Sequence, residues 1–440
     1  MVDLKHPSNI QIEITELCNH KCFYCYNSWQ INKNQKAYMT FENSNKIIDK
    51  VTYEVKPFSV TLTGGEPFLN LPVLKNFIEK LPKKNMSIGV NTNLSYSTPK
   101  NLEFLLDSNN KFGMLISLPH FKLKKYEFIT KAKDLDNIYN NLSFIKKSTN
   151  IPIMINMVVS KVNIDSIYEE GKFLYENFDI KKFSATPVST PPLDYKEDLN
   201  YDLEPKDITS IYTQLKKLSD DFNINVDSLQ TIPLCFIPEE IRMESLYIFQ
   251  KPCSTGKGTL AFDYKGNMRS CVQSPLFIGN ILDSKFESLW DKLRNFRNKK
   301  NLPTDCLECD ILNLCNGGCR FNGYNEDESL DRKDPRMINR IKLKQKKENN
   351  EKEINLNENY VLSENFKYRK EDKDMYTFFE SGSVMVVNTE LKNFILNMNK
   401  LGSFNPNEIL NNYKESNIKI QLKEIFDNLI VRNFLKKINL

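Results

Sequence analysis

Histidine is nearly missing from this chain: three residues in 440. No Ser-His-Asp set and no glycine-rich phosphate loop can be assembled from what is there, so triad hydrolysis and phosphate cradling have no visible machinery. His6 and His120 take no assignable role, and His20 reads as a polar group close to the cysteines that flank it. Long apolar runs are missing too. No stretch approaches the roughly 18 apolar residues of a membrane span, and the opening "MVDLKHPSNI" is too polar and short for a signal peptide. The expectation is a cytoplasmic protein with no membrane partner. Charge of one sign is also scarce: 61 Lys and Arg stand against 56 Asp and Glu, a net charge of +5. That excess is too small to argue for a nucleic-acid partner. Cysteine, by contrast, is plentiful, with ten residues. In a reducing compartment such thiols are more often ligands or catalysts than disulfides. The length suggests about three domains, and a 40% hydrophobic content with 28 Phe is ample for their cores.

The first half of the chain alternates strand and helix patterns. Strands are expected at 10–15, 58–63, 86–91, 113–118, 151–160 and 181–186. Between them lie helical segments at 41–55, with Thr40 as N-cap, and at 72–81, with Pro72 in the first turn. Leu135, Ile138, Leu142 and Ile145 form an apolar stripe at helical spacing, and another helix follows Asn163. Repeated β-α units with apolar strands argue for a parallel sheet. The fold class is therefore α/β, a partial (β/α)6 TIM-like barrel. From about residue 231 the pattern breaks into short cysteine-rich pieces. A charged run at 339–357 reads as a linker, and a small domain follows it.

The first cysteines are Cys18, Cys22 and Cys25, spaced CxxxCxxC, with Tyr24 before the last. A structural zinc site wants four ligands, whereas three thiolates on an iron–sulfur cube leave one iron open. An incidental metal-binding or redox cluster is the rival reading. Further on come Gly64–Gly65–Glu66–Pro67 after the second strand, Asn93 in "VNTNLS", and Ser117 in "LISLPH". Together these segments resemble the radical S-adenosylmethionine (SAM) superfamily over roughly residues 8–230. The resemblance implies a [4Fe–4S] cluster on Cys18, Cys22 and Cys25 whose open iron chelates SAM. It also implies SAM contacts at Tyr24, Gly64, Gly65, Glu66, Pro67, Asn93 and Ser117, with Lys131 near the place where relatives carry an Arg. Leu94 departs from the family's Gly, and Pro119–His120 from its Asp-Gly.

The second cysteine group opens with Cys253 and Cys271, bracketing Gly266, and continues through Cys306, Cys309, Cys315 and Cys319, spaced x2, x5, x3. This resembles the SPASM extension of radical SAM enzymes, which implies two auxiliary [4Fe–4S] clusters. Carried over, Cys235, Cys253, Cys271 and Cys319 would hold the first, and Cys306, Cys309 and Cys315 the second. The family's last cysteine is replaced within "DPRM", leaving Met337, a carboxylate such as Asp327 or Asp334, or nothing as its fourth ligand. A zinc ribbon is the rival here.

The last segment has two expected strands, "YTFFES" and "SVMVVN", and helices after Thr389, Asn405 and Asn417. It resembles the PqqD-like recognition element, a small winged-helix-like α+β domain that binds the leader of a ribosomal precursor peptide by strand addition. Phe378, Phe379 and Val384 to Val387 are candidates for that sheet, though each is more often plain core. The last helix mixes Lys419, Lys423 and Arg432 with Glu424 and Asp427, unlike a basic DNA-reading helix. The expected organisation is thus 1–230 radical SAM barrel, 231–338 SPASM domain, 339–357 linker and 358–440 leader-binding domain. The expected function is hydrogen abstraction from a precursor peptide to install an oxidative crosslink, a thioether in the favoured form. An electron donor such as flavodoxin or ferredoxin would supply the cluster. The alternatives are carbon–carbon crosslinking, sulfatase-maturase-like oxidation of a protein side chain, and a zinc-containing binding protein without catalysis.

Overall fold

The computed structural model describes residues 4–27, 37–106, 112–190, 203–327, 329–342, 354–380 and 383–438, the side chains of 325–327 excepted. Most of the 339–357 run lies outside them. The chain divides into two compact units, residues 9–343 and a second made of 1–8 with 344–440. Residues 1–8, expected at the head of the barrel, group instead with the C-terminal segment.

The larger unit is built on seven successive parallel strands: β1 Asn9–Glu13, β2 Ser59–Thr63, β3 Ser87–Thr92, β4 Phe112–Ser117, β5 Ile153–Val159, β6 Lys182–Pro187 and β7 Asn225–Asp227. On the other side of β1 comes β8 Thr259–Phe262, also parallel, then the antiparallel β9 Asn267–Arg269 and β10 Phe277–Asn280. The order β10-β9-β8-β1-β2-β3-β4-β5-β6-β7 is that of a partial barrel carrying a cysteine-rich extension beside its first strand. Alternation sets the faces: in β2, Val60 and Leu62 are fully buried between less buried neighbours. Three successive strands end on polar residues, β2 on Thr63, β3 on Thr92 and β4 on Ser117; Asn156 lies within β5 and Thr186 one residue before the end of β6, and Thr186 Oγ1 donates to Asn156 Oδ1 at 2.6 Å.

The crossovers follow their sequence signals. Thr40 Oγ1 accepts from Asn43 N at 3.1 Å and starts the helix Phe41–Lys50. Pro72 lies in the first turn of Leu71–Lys80. The helix Leu135–Ser148 buries Leu135, Ile138, Leu142 and Ile145, the stripe read from the sequence. A buried ion pair between Glu13, at the end of β1, and Arg269, at the end of β9, ties the barrel to its extension.

The smaller unit has two three-stranded antiparallel sheets. One runs β15-β11-β16, with β11 Tyr360–Leu362, β15 Ser403–Phe404 and β16 Leu435–Lys437. The other runs β12-β13-β14, with β12 Lys367–Asp372, β13 Met375–Glu380 and β14 Ser383–Asn388. Helices Thr389–Lys400, Pro406–Asn411 and Ser416–Val431 pack on a core that includes Phe378, Phe426, Leu429 and Phe434. Residues 5–7 run along this unit: Lys5 N donates to Glu371 Oε2 at 3.1 Å, and the Arg369 guanidinium donates to the Pro7 carbonyl at 2.9 Å and to that of His6. No helix among the described residues is long and apolar enough to cross a membrane.

Candidate active site and metal centres

The loop after β1 carries Cys18, Cys22 and Cys25, and its shape is held by bonds to two other elements. Lys21 N and Phe23 N donate to the carbonyls of Thr130 and Ile129 at the end of helix Leu123–Thr130. Gly65 N donates to Thr15 O and Glu66 N to Leu17 O, each at 2.8 Å. Asn27 Nδ2 donates to Gly64 O at 3.2 Å. The two glycines are needed for that clasp. A Cβ on Gly64 would lie 2.1 Å from Thr15 O, at a φ of +135°, and one on Gly65 would lie 2.0 Å from Leu17 O. The resemblance implies SAM contacts at these glycines; the close approach found is that of the cysteine loop's own backbone.

Glu66 is fully buried and caps the short turn Pro67–Asn70 by accepting from Phe68 N at 3.1 Å. It also accepts from Thr92 Oγ1 and Asn93 N, both at 2.7 Å, which pins the end of β3. Burial pushes its carboxyl up to about 7, against the downward pull of these three bonds. All three donors are uncharged, so a ligand ammonium reaching this acid would be a new cation beside it.

Asn93 points to the cysteine loop: Nδ2 lies 3.9 Å from Cys18 Sγ and donates to Asn19 Oδ1 at 2.9 Å. Behind it lies a buried network that the sequence did not reveal. His20 Nε2 is 3.1 Å from both oxygens of Asp134, 2.9 Å from Ser95 Oγ and 3.2 Å from Tyr126 OH. Tyr126 OH donates to Asp134 Oδ1 at 2.7 Å, and Asn19 Nδ2 to Ser95 Oγ at 2.7 Å. Burial holds the His20 imidazole below its usual range, although Asp134 pulls the other way. Asp134, Ser95 and Tyr126 are 75 or more residues from His20, so only the fold brings them to it. Tyr24 is set with its hydroxyl beside Ser117 and Cys22. Lys131 does not join the group: it is exposed, caps its helix at φ 57°, and stacks its ammonium 4.7 Å above the ring of Phe128.

Leu94, standing where the resembled family has Gly, keeps a left-handed φ of 58° while fully buried. That conformation costs an L-residue roughly 1–2 kcal/mol. Removing a buried leucine side chain costs about 2.7–5 kcal/mol. Burial wins, so Leu94→Gly is expected to lower unfolding free energy by roughly 1–4 kcal/mol, measured by denaturant titration. A stabilised variant would mean that strain outweighs packing at this position.

The remaining cysteines form two sets, and one differs from expectation. Cys253, Cys271 and Cys319 are mutual neighbours, and Cys319 Sγ lies 3.4 Å from Gln273 Oε1. Cys306, Cys309 and Cys315 line a cavity with Met337, whose Sδ is 3.8 Å from Cys306 Sγ. Cys235, expected with the first set, lines the cavity of the second. The physical reason is local: Leu234 N donates to Cys315 Sγ at 3.3 Å, and the 234–236 turn lies against that loop. Asp334 is no ligand candidate in this arrangement. It is fully buried, accepting from Cys319 N, Asn322 Nδ2 and Arg336 N at 3.0–3.1 Å. The side chain of Asp327 lies outside the described residues.

Residues 12–174 match the radical SAM superfamily, and residues 253–310 match the SPASM iron–sulfur cluster-binding domain. The chain carries a radical SAM domain and a SPASM domain. The radical SAM/SPASM chain is similar to a probable GTP 3′,8-cyclase of Pyrococcus horikoshii, 33% identical over 175 residues, which are 38% of this chain and 53% of that one. It thus spans about half the length of that relative. It is also similar to the AdoMet-dependent heme synthase of Methanosarcina barkeri, 23% identical over 331 residues, covering 72% of this chain and 92% of the synthase. In fold it resembles the crystal structure of Streptococcus suis SuiB bound to precursor peptide SuiA, with a TM-score of 0.61, 18% identity and 75% of each chain covered.

The donors fit iron–sulfur chemistry. Each set is made of soft thiols, and burial, the largest cause, pushes Cys18 and Cys271 up to about 12 and Cys25 up to about 11. Cys18 gains further from the Glu66 carboxylate, and Cys22 from the two thiols beside it. Thiols crowded and buried in this way keep their protons until a soft cation replaces them. SAM suits the same loop, because Glu66 lies behind it with uncharged donors alone.

Proposed function

We propose that this chain is a peptide maturase that cleaves SAM reductively, takes hydrogen from a ribosomal precursor peptide and leaves an oxidative crosslink, a thioether in the favoured form. The observation that carries the reading is the three-thiol loop, clasped by Gly65 and Glu66 and facing Asn93, within a radical SAM domain. When bound there, a [4Fe–4S] cluster with one iron free for SAM supplies the electron that breaks a sulfonium bond and releases a 5′-deoxyadenosyl radical. The chain's own residues orient and shield. The clasp fixes the three sulfurs, Glu66 offers its carboxyl to the SAM ammonium, and Tyr24 with Ser117 closes the loop's inner side. A flavodoxin or ferredoxin would deliver the electron.

A peptide substrate is supported by the likeness in fold to SuiB, whose structure holds its precursor peptide. It is also supported by the second unit. There Phe378 and Phe379 are buried core, whereas Val384, Met385 and Val386 are half-buried on β14, at the sheet's edge. The Val384 carbonyl is held by Arg432 at 2.7 Å, and the exposed Ile420 lies on the neighbouring helix. An extended leader could add to the rest of that edge, by main-chain pairing with apolar side chains on either side. The β12 flank is attended by residues 5–7.

In a thioether the substrate gives up a hydrogen atom from carbon to the deoxyadenosyl radical, a proton from sulfur, and one electron that an auxiliary cluster would accept. Co-expression with a cysteine-containing precursor, read by mass spectrometry, should give a product lighter by two hydrogens whose cysteine resists alkylation. The same mass with an alkylatable cysteine would leave carbon–carbon crosslinking. Unchanged mass with deuterium taken up from solvent would mean epimerisation and end the crosslinking reading.

A further inference from the structure

The ten cysteines are accounted for differently in space than in sequence. Three lie in the loop after β1. Of the other seven, Cys253, Cys271 and Cys319 keep one another's company, and Cys235 lines the same cavity as Cys306, Cys309 and Cys315. We propose that Cys235 is the fourth thiolate of the second auxiliary cluster, and that the first, held by Cys253, Cys271 and Cys319 alone, carries the accessible iron. This assignment rests on the SPASM domain and not on the identity of the substrate.

Two observations favour Cys235 over Met337 for the second cluster. Cys235 is beside Cys309 and Cys315, and its turn is fastened to Cys315 by the Leu234 N–H, so its sulfur is carried by the same small loop system. A thiolate is also a stronger ligand for iron than a thioether, so Met337, although in contact with Cys306, would lose the competition. At the first set, the side chains against the thiols include the neutral amide of Gln273, itself donating to Ser189 Oγ at 2.8 Å, and the hydroxyl of Thr255 beside Cys271. A second cavity opens at Cys253, lined by the cations Lys257, Lys299 and Arg320. An anionic soft ligand, of which a substrate thiolate is the natural example, suits an iron in that surrounding. The open position therefore moves from the second auxiliary cluster, where the cysteine replaced within "DPRM" suggested it, to the first.

The test is iron counting in a background where Cys18, Cys22 and Cys25 are all Ala, which leaves the auxiliary clusters with about eight irons per chain. Cys235→Ala and Cys306→Ala each leave the second cluster three thiolates, as many as the first has, and should each keep about eight irons with an altered electron paramagnetic resonance (EPR) spectrum. The double variant leaves it two and should lose about four irons. Cys271→Ala leaves the first cluster two and should lose about four irons, and adding Cys235→Ala to it should lose no more. Met337→Leu should change neither iron nor spectrum. Adding 2-mercaptoethanol should shift the EPR signal that survives in Cys235→Ala with Cys306→Ala. The proposal is overturned if Cys306→Ala alone loses as much iron as the double variant, if Cys235→Ala with Cys271→Ala loses more iron than Cys271→Ala alone, or if 2-mercaptoethanol leaves the surviving signal unchanged.

Discussion

Chains in which Cys18, Cys22 and Cys25 are all replaced by Ala are expected to form no detectable 5′-deoxyadenosine from SAM while keeping about eight irons. The two kinds of cluster site are separate in the chain. The three thiols lie in one loop after β1, fastened to Thr130, Ile129, Gly65 and Glu66 by backbone bonds that do not involve their side chains. Removing the sulfurs therefore leaves the loop's scaffold in place. The other seven cysteines begin at Cys235, over 200 residues further on, in their own loops. Iron analysis and chromatography of the reaction mixture give the two readouts independently. Persistent SAM cleavage in the triple variant would sink the assignment of the open iron to this loop. A parent protein that is colourless and holds zinc alone would return the zinc-binding alternative.

The other large effect is expected in precursor binding. A chain ended at residue 343 should bind its precursor at least tenfold more weakly, about 1.4 kcal/mol or more, while uncoupled SAM cleavage stays within about twofold of the parent. Residues 344–440 have their own core around Phe378 and Phe426. What is lost is the β14 edge. Fluorescence anisotropy with a labelled precursor measures the first quantity, and deoxyadenosine release the second. Unchanged affinity for the full precursor would reject the leader-docking role.

The strand–helix alternation and the cysteine spacings were legible because each is a local pattern. The first strand ends earlier than its apolar run suggests, since Thr15 leaves the sheet to bridge Tyr38 and to receive Gly65 N. Strand β12, sequence KYRKED, has no apolar alternation to read, in keeping with a charged edge strand. Strands of three or four residues such as β7 and β9 are too short to show a period. Within the site, Gly64, Gly65 and Glu66 were legible as a motif, but their clasp on Thr15 and Leu17 was not, because it depends on two loops meeting. Cys235 illustrates the same limit. It is 71 residues from Cys306, and no spacing rule says which of two cysteine sets a distant thiol will join.

The stitching of residues 5–7 to Arg369 and Glu371 has a consequence for the order of synthesis. Lys5 and its acceptor Glu371 are 366 residues apart. At a ribosomal pace of 5–20 residues per second, the opening segment waits roughly 20–70 s for its partner strand to be made. During that interval β1 and the cysteine loop behind it can already find β2 and the Gly64–Gly65 turn. The strands of the barrel can therefore pair before residues 5–7 are tied down.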